Sequence, residues 1–234
     1  MKIIAIDSSG LVASVAVATE DSVIAEYTVN FKKTHSQTLL PMLDEISCLI
    51  GLDMKEVDAI AVAAGPGSFT GLRIGSATAK GLAYAIDKPI IEVPTVDALS
   101  YNLWGSSDLI VPIMDARRNQ VYTGFYEFDD KGNHIVVKPQ FAEDIVSVVK
   151  ELNEIGKRVI FLGDGVPVYA KAIEESISVP YRFAPGHMNR QRAGALASLA
   201  VKYFAEGKTV SAADHSPEYL RMSQAERERQ EAMK

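Results

Sequence analysis

The chain has 234 residues, 47% of them hydrophobic and 23% charged, with a net charge of -6 and one cysteine. That composition is ordinary for a soluble globular protein. The lone thiol excludes an intrachain disulfide, and the acidic balance argues against this chain gripping a nucleic acid backbone alone. The start, MKIIAIDSSG, lacks the apolar length and cleavage site of a leader, and no run approaches the ~20 apolar residues that span a bilayer. A cytoplasmic location is expected.

KIIAID (2–7) is an apolar run ended by Asp-Ser-Ser-Gly, which predicts a buried strand and a turn. LVASVAVAT (11–19) and SVIAEYTVN (22–30) are β-rich and predict a hairpin. HSQTLLPMLDEISCLI (35–50) places Leu39, Met42, Leu43, Ile46, Leu49 and Ile50 at helical spacing. Pro41 marks an early start or a kink there. Cys48 falls near that apolar stripe and reads as a small core residue. DAIAVAAG (58–65) predicts a strand, followed by a glycine-rich loop and a helix to about Ile86. KPIIEVP (88–94) and TVDALSYNLW (95–104) predict a strand and a short helix.

The second half repeats this plan. LIVPIMDARRNQVYTGFYEF (109–128) echoes the start, with Asp115 in the place of Asp7. HIVVK (134–138) predicts a third strand and AEDIVSVVKEL (142–152) a helix with one apolar stripe. RVIFLGDG (158–165) matches DAIAVAAG; a helix over about 167–176, a strand over 181–185 and a helix over 190–207 follow. The order β-β-β-α-β-α-β-α thus occurs twice, which implies two similarly folded lobes. The lobes are expected at residues 1–105 and 106–222, with a polar tail over 223–234 that has no apolar stripe.

Metal chemistry finds little support: His35, His134, His187 and His215 lie far apart and no H-E-x-x-H occurs. Asp7 and Asp115 each end an apolar strand, where α/β folds place ligand-facing groups. They are expected to face each other across a cleft. Ser8, Ser9 and Gly10 form a turn whose N–H groups could hold a phosphate. The loop after Asp115, Ala116-Arg117-Arg118-Asn119, has no glycine for close backbone approach, and its arginines suit an anion or plain surface charge.

GPGSFTGLRIGSATAKGLA (65–83) has the look of a phosphate loop, but no lysine follows Gly71, and Thr70 breaks G-x-G-x-x-G. Between Ala59 and Ile86 the only charges are Arg73 and Lys80. A helix apolar nearly all round is covered on more than one side. Its interior glycines each cost about 1 kcal/mol against alanine, which close approach of another element would offset. The helix at 35–50 and a second protein are the candidate neighbours. The expected partner face is that of Gly71, Gly75, Thr78 and Leu82. A charge placed at Gly75 is expected to abolish pairing and spare the fold.

That stretch, with IIAIDSS at the start, HSQTLLPML in the first helix, DARRNQVY opening the second half and PEYLR at 217–221, resembles the TsaB (YeaZ) family over essentially the whole chain. The resemblance implies the α/β two-lobed actin-like ATPase fold shared with sugar kinases. It further implies a non-catalytic paralogue of TsaD, the transferase that adds threonylcarbamoyl to the adenosine beside the anticodon in tRNAs reading codons that begin with A. TsaD binds a metal through His-x-x-x-His; the matching helix here carries Ala98 and Asn102, so no such metal centre is expected. The implied role is a heterodimer with TsaD through the two first-lobe helices, joined by the ATPase TsaE, with tRNA met only through the complex. The implied interface is Leu39, Leu43, Ile46, Gly71, Leu72, Gly75, Thr78, Ala79 and Leu82, and the same face is expected to form a homodimer in isolation. Asp7, Ser8, Ser9, Gly10 and Asp115 would then be a vestigial nucleotide cleft. No cofactor is required, with weak ATP or ADP binding left open. The alternative is an actin-like phosphotransferase or hydrolase with its own ATP site.

Overall fold

The structure, a computed structural model, describes residues 1–31 and 34–221. The first half builds strands β1 (Lys2–Asp7), β2 (Ala13–Thr19), β3 (Val23–Val29), β4 (Ala59–Gly65) and β5 (Ile90–Pro94), and helices α1 (His35–Ile50), α2 (Phe69–Ile86) and α3 (Thr95–Ser100). The strands form one sheet in the order β3-β2-β1-β4-β5. The β1–β2–β3 meander is antiparallel, whereas β4 and β5 join in parallel through helical crossovers. Buried on both faces, β1 and β4 are continuous apolar runs, as a doubly covered sheet demands.

The second half repeats the order with β6 (Leu109–Pro112), the short β7 (Met114–Asp115), β8 (Gln120–Phe128), β9 (His134–Asp144), α4 (Ile145–Ile155), β10 (Val159–Leu162), α5 (Val166–Ser176), β11 (Tyr181–Phe183) and α6 (Ala193–Ala205). Its sheet runs β11-β10-β6-β8-β7, with β9 paired on β8. The doubled β-β-β-α-β-α-β-α plan is therefore present, and the fold is the two-lobed actin-like one. The third strand is longer than HIVVK predicts. It pairs with β8 as far as Asp144, which then caps α4 by accepting from the Ser147 N–H at 3.0 Å. The predicted helix over 95–104 is α3 alone, followed by a single 3₁₀ turn. The tail at 223–234 lies outside the described residues.

Packing does not respect the boundary drawn at residue 105. α1 and α2 cover one face of the first sheet with Leu39, Leu43, Ile46 and Ala79 against Ile4, Ile6, Ile60 and Val62. The other face is covered by α6, whose Leu196, Ala197 and Ala200 pack on Ile3, Ala5 and Ala61. α3 and the 3₁₀ turn after it, from the first half, send Val96, Leu99 and Leu103 onto Ile110, Tyr126 and Leu162 of the second sheet. The closing helix of each half thus packs against the sheet of the other. A cut in sequence order would strip each sheet of part of its cover.

Cys48 is exposed, against the expectation of a core residue. Leu39, Met42, Leu43 and Ile46 turn inward on α1. Cys48 stands two residues beyond Ile46, about 200° round the helix, and so faces outward. Leu49, expected on the buried stripe, is 78% exposed at the margin of that stripe, in the last turn of α1.

Candidate functional site

Two places hold functional potential: the cleft between the lobes and the outer faces of α1 and α2. The cleft measures about 520 Å³ and is lined by Ser9, Gly10, His35, Asp115, Arg117 and Asp164 among others. Asp7 and Asp115 each end a strand; Asp115 lines this gap, whereas Asp7 is buried beside the lining residue Ser9. Asp7 is fully buried, and desolvation pushes its carboxyl above the usual carboxylate range, despite hydrogen bonds from the Ser9 N–H at 2.9 Å and the Ser9 hydroxyl at 2.6 Å. Asp115 accepts from the Arg117 N–H at 2.8 Å and from the Tyr169 hydroxyl at 3.0 Å. Burial first and then Asp115 push that tyrosine up to about 12.

A third carboxylate joins them. Asp164, two residues after β10, is raised by burial and opposed by the nearby Arg190 cation, and its field reaches Asp7. Its Oδ1 is buried with no hydrogen-bond partner. The sequence held a weaker signal: RVIFLGDG places Asp164 two residues after its apolar strand, whereas KIIAID ends in its Asp. His35 also reaches the cleft, where its Nε2 contacts the Gly10 carbonyl oxygen at 2.9 Å. Among the described residues, no three His, Cys, Asp or Glu side chains are grouped as metal ligands.

The turn after Asp7 is built against its own chain. The Ser9 N–H already serves Asp7, the Ser9 carbonyl accepts from the Ser68 N–H at 2.6 Å, and the Ser8 hydroxyl donates to the Gly71 carbonyl at 2.9 Å. α2 leaves β4 and runs back over this turn, capped by the Ser68 hydroxyl on the Gly71 N–H. A Cβ at Gly71 would overlap the Ser8 carbonyl oxygen, and one at Gly75 the Ser8 hydroxyl. At Gly67 it would overlap the Ser9 carbonyl oxygen. The glycines of the loop–helix segment therefore serve close approach of the protein's own β1 turn.

This corrects most of the expected partner face. Gly71, Leu72, Gly75 and Ala79 are buried within the chain, as are Leu39, Leu43 and Ile46 of α1. Leu43, though nearly covered, still lines the open groove between the helices, while the others are covered by the chain itself. Thr78 and Leu82 alone stay partly exposed. Nor does a charge at Gly75 spare the fold, because it would displace Ser8. The outward residues are others: Leu40 at 51% exposure and Leu49 on α1, and Ala77, Gly81, Tyr84 and Ala85 on α2, with Tyr84 at 84%. Between the helices lies an open groove of about 610 Å³ bordered by Leu40, Cys48, Leu52, Met54 and Leu82. A Cβ at Gly81 would meet nothing within 4 Å.

The segment containing PEYLR straps the cleft mouth. Val210 bridges Ile90 at the edge of β5, and Lys80 donates to the carbonyls of Ala213 and His215. The Glu218 N–H bonds the Ala64 carbonyl at 2.7 Å, while its carboxylate takes the amide of Gln140 in the second lobe at 2.9 Å. Gly65, at φ +123, leaves room for the Glu218 carbonyl.

Comparison with known proteins agrees with this architecture. The sequence family described as "TsaD: tRNA N6-adenosine threonylcarbamoyltransferase" matches residues 22–229. The chain is 36% identical over 229 residues to the tRNA threonylcarbamoyladenosine biosynthesis protein TsaB of Bacillus subtilis, covering 97% of this chain and 96% of that one. It is 30% identical to the Escherichia coli protein of the same name, covering 94% and 95%. The solved structure of YeaZ from Pseudomonas aeruginosa superposes with a TM-score of 0.77 at 26% identity, over 94% of this chain and 99% of that one. On its full-length similarity and its doubled fold, the chain belongs to the TsaB (YeaZ) family of the actin-like ATPase superfamily.

Proposed function

We propose that this chain acts in the biosynthesis of threonylcarbamoyladenosine beside the anticodon of tRNAs reading codons that begin with A, as a non-catalytic partner subunit. In this reading it pairs with the transferase TsaD through α1 and α2, and the ATPase TsaE joins the pair in the cytoplasm. The observation that carries the proposal is the outer face of those helices. Their inner faces are fully used by the first sheet, yet Leu40, Leu49 and Tyr84 stay in water beside the small residues Ala77 and Gly81. A monomer gains nothing from such an arrangement; a partner helix would fill the groove. With TsaD absent, the same face would pair two copies of this chain.

Capture by immobilised TsaD tests the proposal. Leu40→Asp together with Tyr84→Asp should abolish capture, because a buried unpaired carboxylate costs several kcal/mol, while thermal unfolding stays within a few degrees of the parent. Undiminished capture by the folded double variant would overturn the interface.

One observation favours a second reading. Asp115 and Asp164 in a 520 Å³ cleft, with Asp7 buried beside it, are compatible with a nucleotide-dependent phosphotransferase or hydrolase. Against it stands the turn after Asp7, whose Ser9 N–H and carbonyl are already bonded within the chain. The purified chain is expected to turn over no ATP. Turnover that disappears in Asp7→Ala would establish the second reading instead.

A further inference from the structure

Seven of the arginines among the described residues fall into two sets. Arg158 and Arg182 reach Asp108, and Arg192 reaches Glu26. Arg190 is turned inward to the carbonyls of Gly163 and Asn189. Arg73 and Arg221 meet no carboxylate among the described residues, and Arg117 only approaches Asp115 at 3.9 Å. These last three gather on the rim of the interlobe cleft. On the first-lobe side, the Arg73 guanidinium lies 4.0 Å over the Phe69 ring, and its Nε–H donates to the Tyr219 hydroxyl. Tyr219 in turn packs on Phe69 in a tilted pair, interplanar angle 35° and ring centroids 4.7 Å apart, and remains 39% exposed. On the second-lobe side, Arg117 extends with its side chain 88% exposed from a left-handed backbone, φ 66. Arg221 bonds the adjoining Ala116 carbonyl, and both Arg117 and Arg221 act on the Tyr169 hydroxyl. Phe69 and Arg117 line the same cleft.

We infer that this rim is a contact surface for an unpaired RNA loop. Its phosphates would bridge Arg73, Arg221 and Arg117, and one base would lie on the open face of Tyr219. Arg73 is exposed and Arg117 is held only loosely by Asp115, so both guanidinium groups can turn to phosphate, and the exposed Tyr219 ring beside Phe69 offers a base-stacking surface. Asp115 and Asp164, which line the cleft, disfavour phosphate inside it. They confine the polymer to the rim and distinguish this surface from a nucleotide pocket. The choice of RNA over other polyanions rests on the function proposed above. The surface itself is independent of the α1–α2 face.

The test uses the whole chain alone, so that it does not depend on partner capture. The probe is a fluorescein-labelled RNA hairpin with a seven-nucleotide loop, followed by anisotropy at rising salt. The parent is expected to bind with a log affinity against log salt slope of about -2, the release from roughly three phosphates. Arg73→Glu with Arg117→Glu should weaken binding at least about tenfold and flatten that slope. Tyr219→Ala should lower affinity for the loop but not for a blunt duplex of the same length. Equal binding by the parent and the folded double arginine variant would overturn the inference, as would no binding by the parent at low salt. Binding of an acidic peptide such as polyglutamate as tightly as the hairpin would also overturn it, marking the rim as a protein-docking surface.

Discussion

Gly75 and Gly81 sit on the same helix, in the same run of small residues, and their surroundings are opposite. Gly75 faces the turn after Asp7, where the Ser8 hydroxyl occupies the space a Cβ would need. Gly81 faces outward, with nothing within 4 Å. Read along the chain, both are helix-interior glycines that cost stability against alanine. In the fold, the first lets a helix press on its own sheet, and the second leaves an exposed strip beside Tyr84. A small-residue pattern therefore signals close approach, but does not say whether the approaching chain is self or partner.

The contrast can be broken from either side. Gly75→Arg should produce the largest effect, a loss on the order of 4 kcal/mol or outright failure to fold, because Ser8 and the start of α2 must separate. Urea unfolding measures this; a folded, near-native Gly75→Arg protein would mean that the turn and helix are not locked together. The paired Leu40→Asp and Tyr84→Asp substitutions come next, with partner capture lost and the fold kept. Gly81→Ala should be the mildest. It should stabilise the isolated chain by about 0.5–1 kcal/mol, the helix propensity gain at an open position. It should also weaken capture by TsaD if the partner's backbone approaches at that point. Stabilisation without any loss of capture would place the close approach elsewhere on the outer face.

Much of the fold was legible because it rests on local pattern. The apolar runs ending in Asp7 and Asp115, the turn residues between β-rich stretches and the doubled order of elements all follow from rules that act within a few residues. The cleft was legible in part for the same reason: Asp7 and Asp115 were placed by strand ends. Asp164 was missed because Gly163 sets it two residues beyond its strand. The partner face was misassigned because the apolar stripe of α1 and the glycines of α2 are what a helix shows to whatever covers it. An amphipathic pattern names the buried side, and burial inside the chain takes first claim on it. Leu40 and Tyr84 stand off the buried stripes and carry no periodic signal, while Leu49 shares the periodicity of the stripe and yet faces water. Their meaning appears only once the inner faces are full.

By itself, then, the sequence determined the elements, their doubled order and the chemical character of the strand ends, since these depend on neighbours along the chain. Only the tertiary structure decided which neighbours meet across it. It set α6 on the first sheet and α3 on the second, aimed the glycines of α2 at Ser8, and drew Glu218 and Arg221 over the cleft mouth. Those contacts join residues far apart in sequence, where loop closure erases any local trace of the pairing.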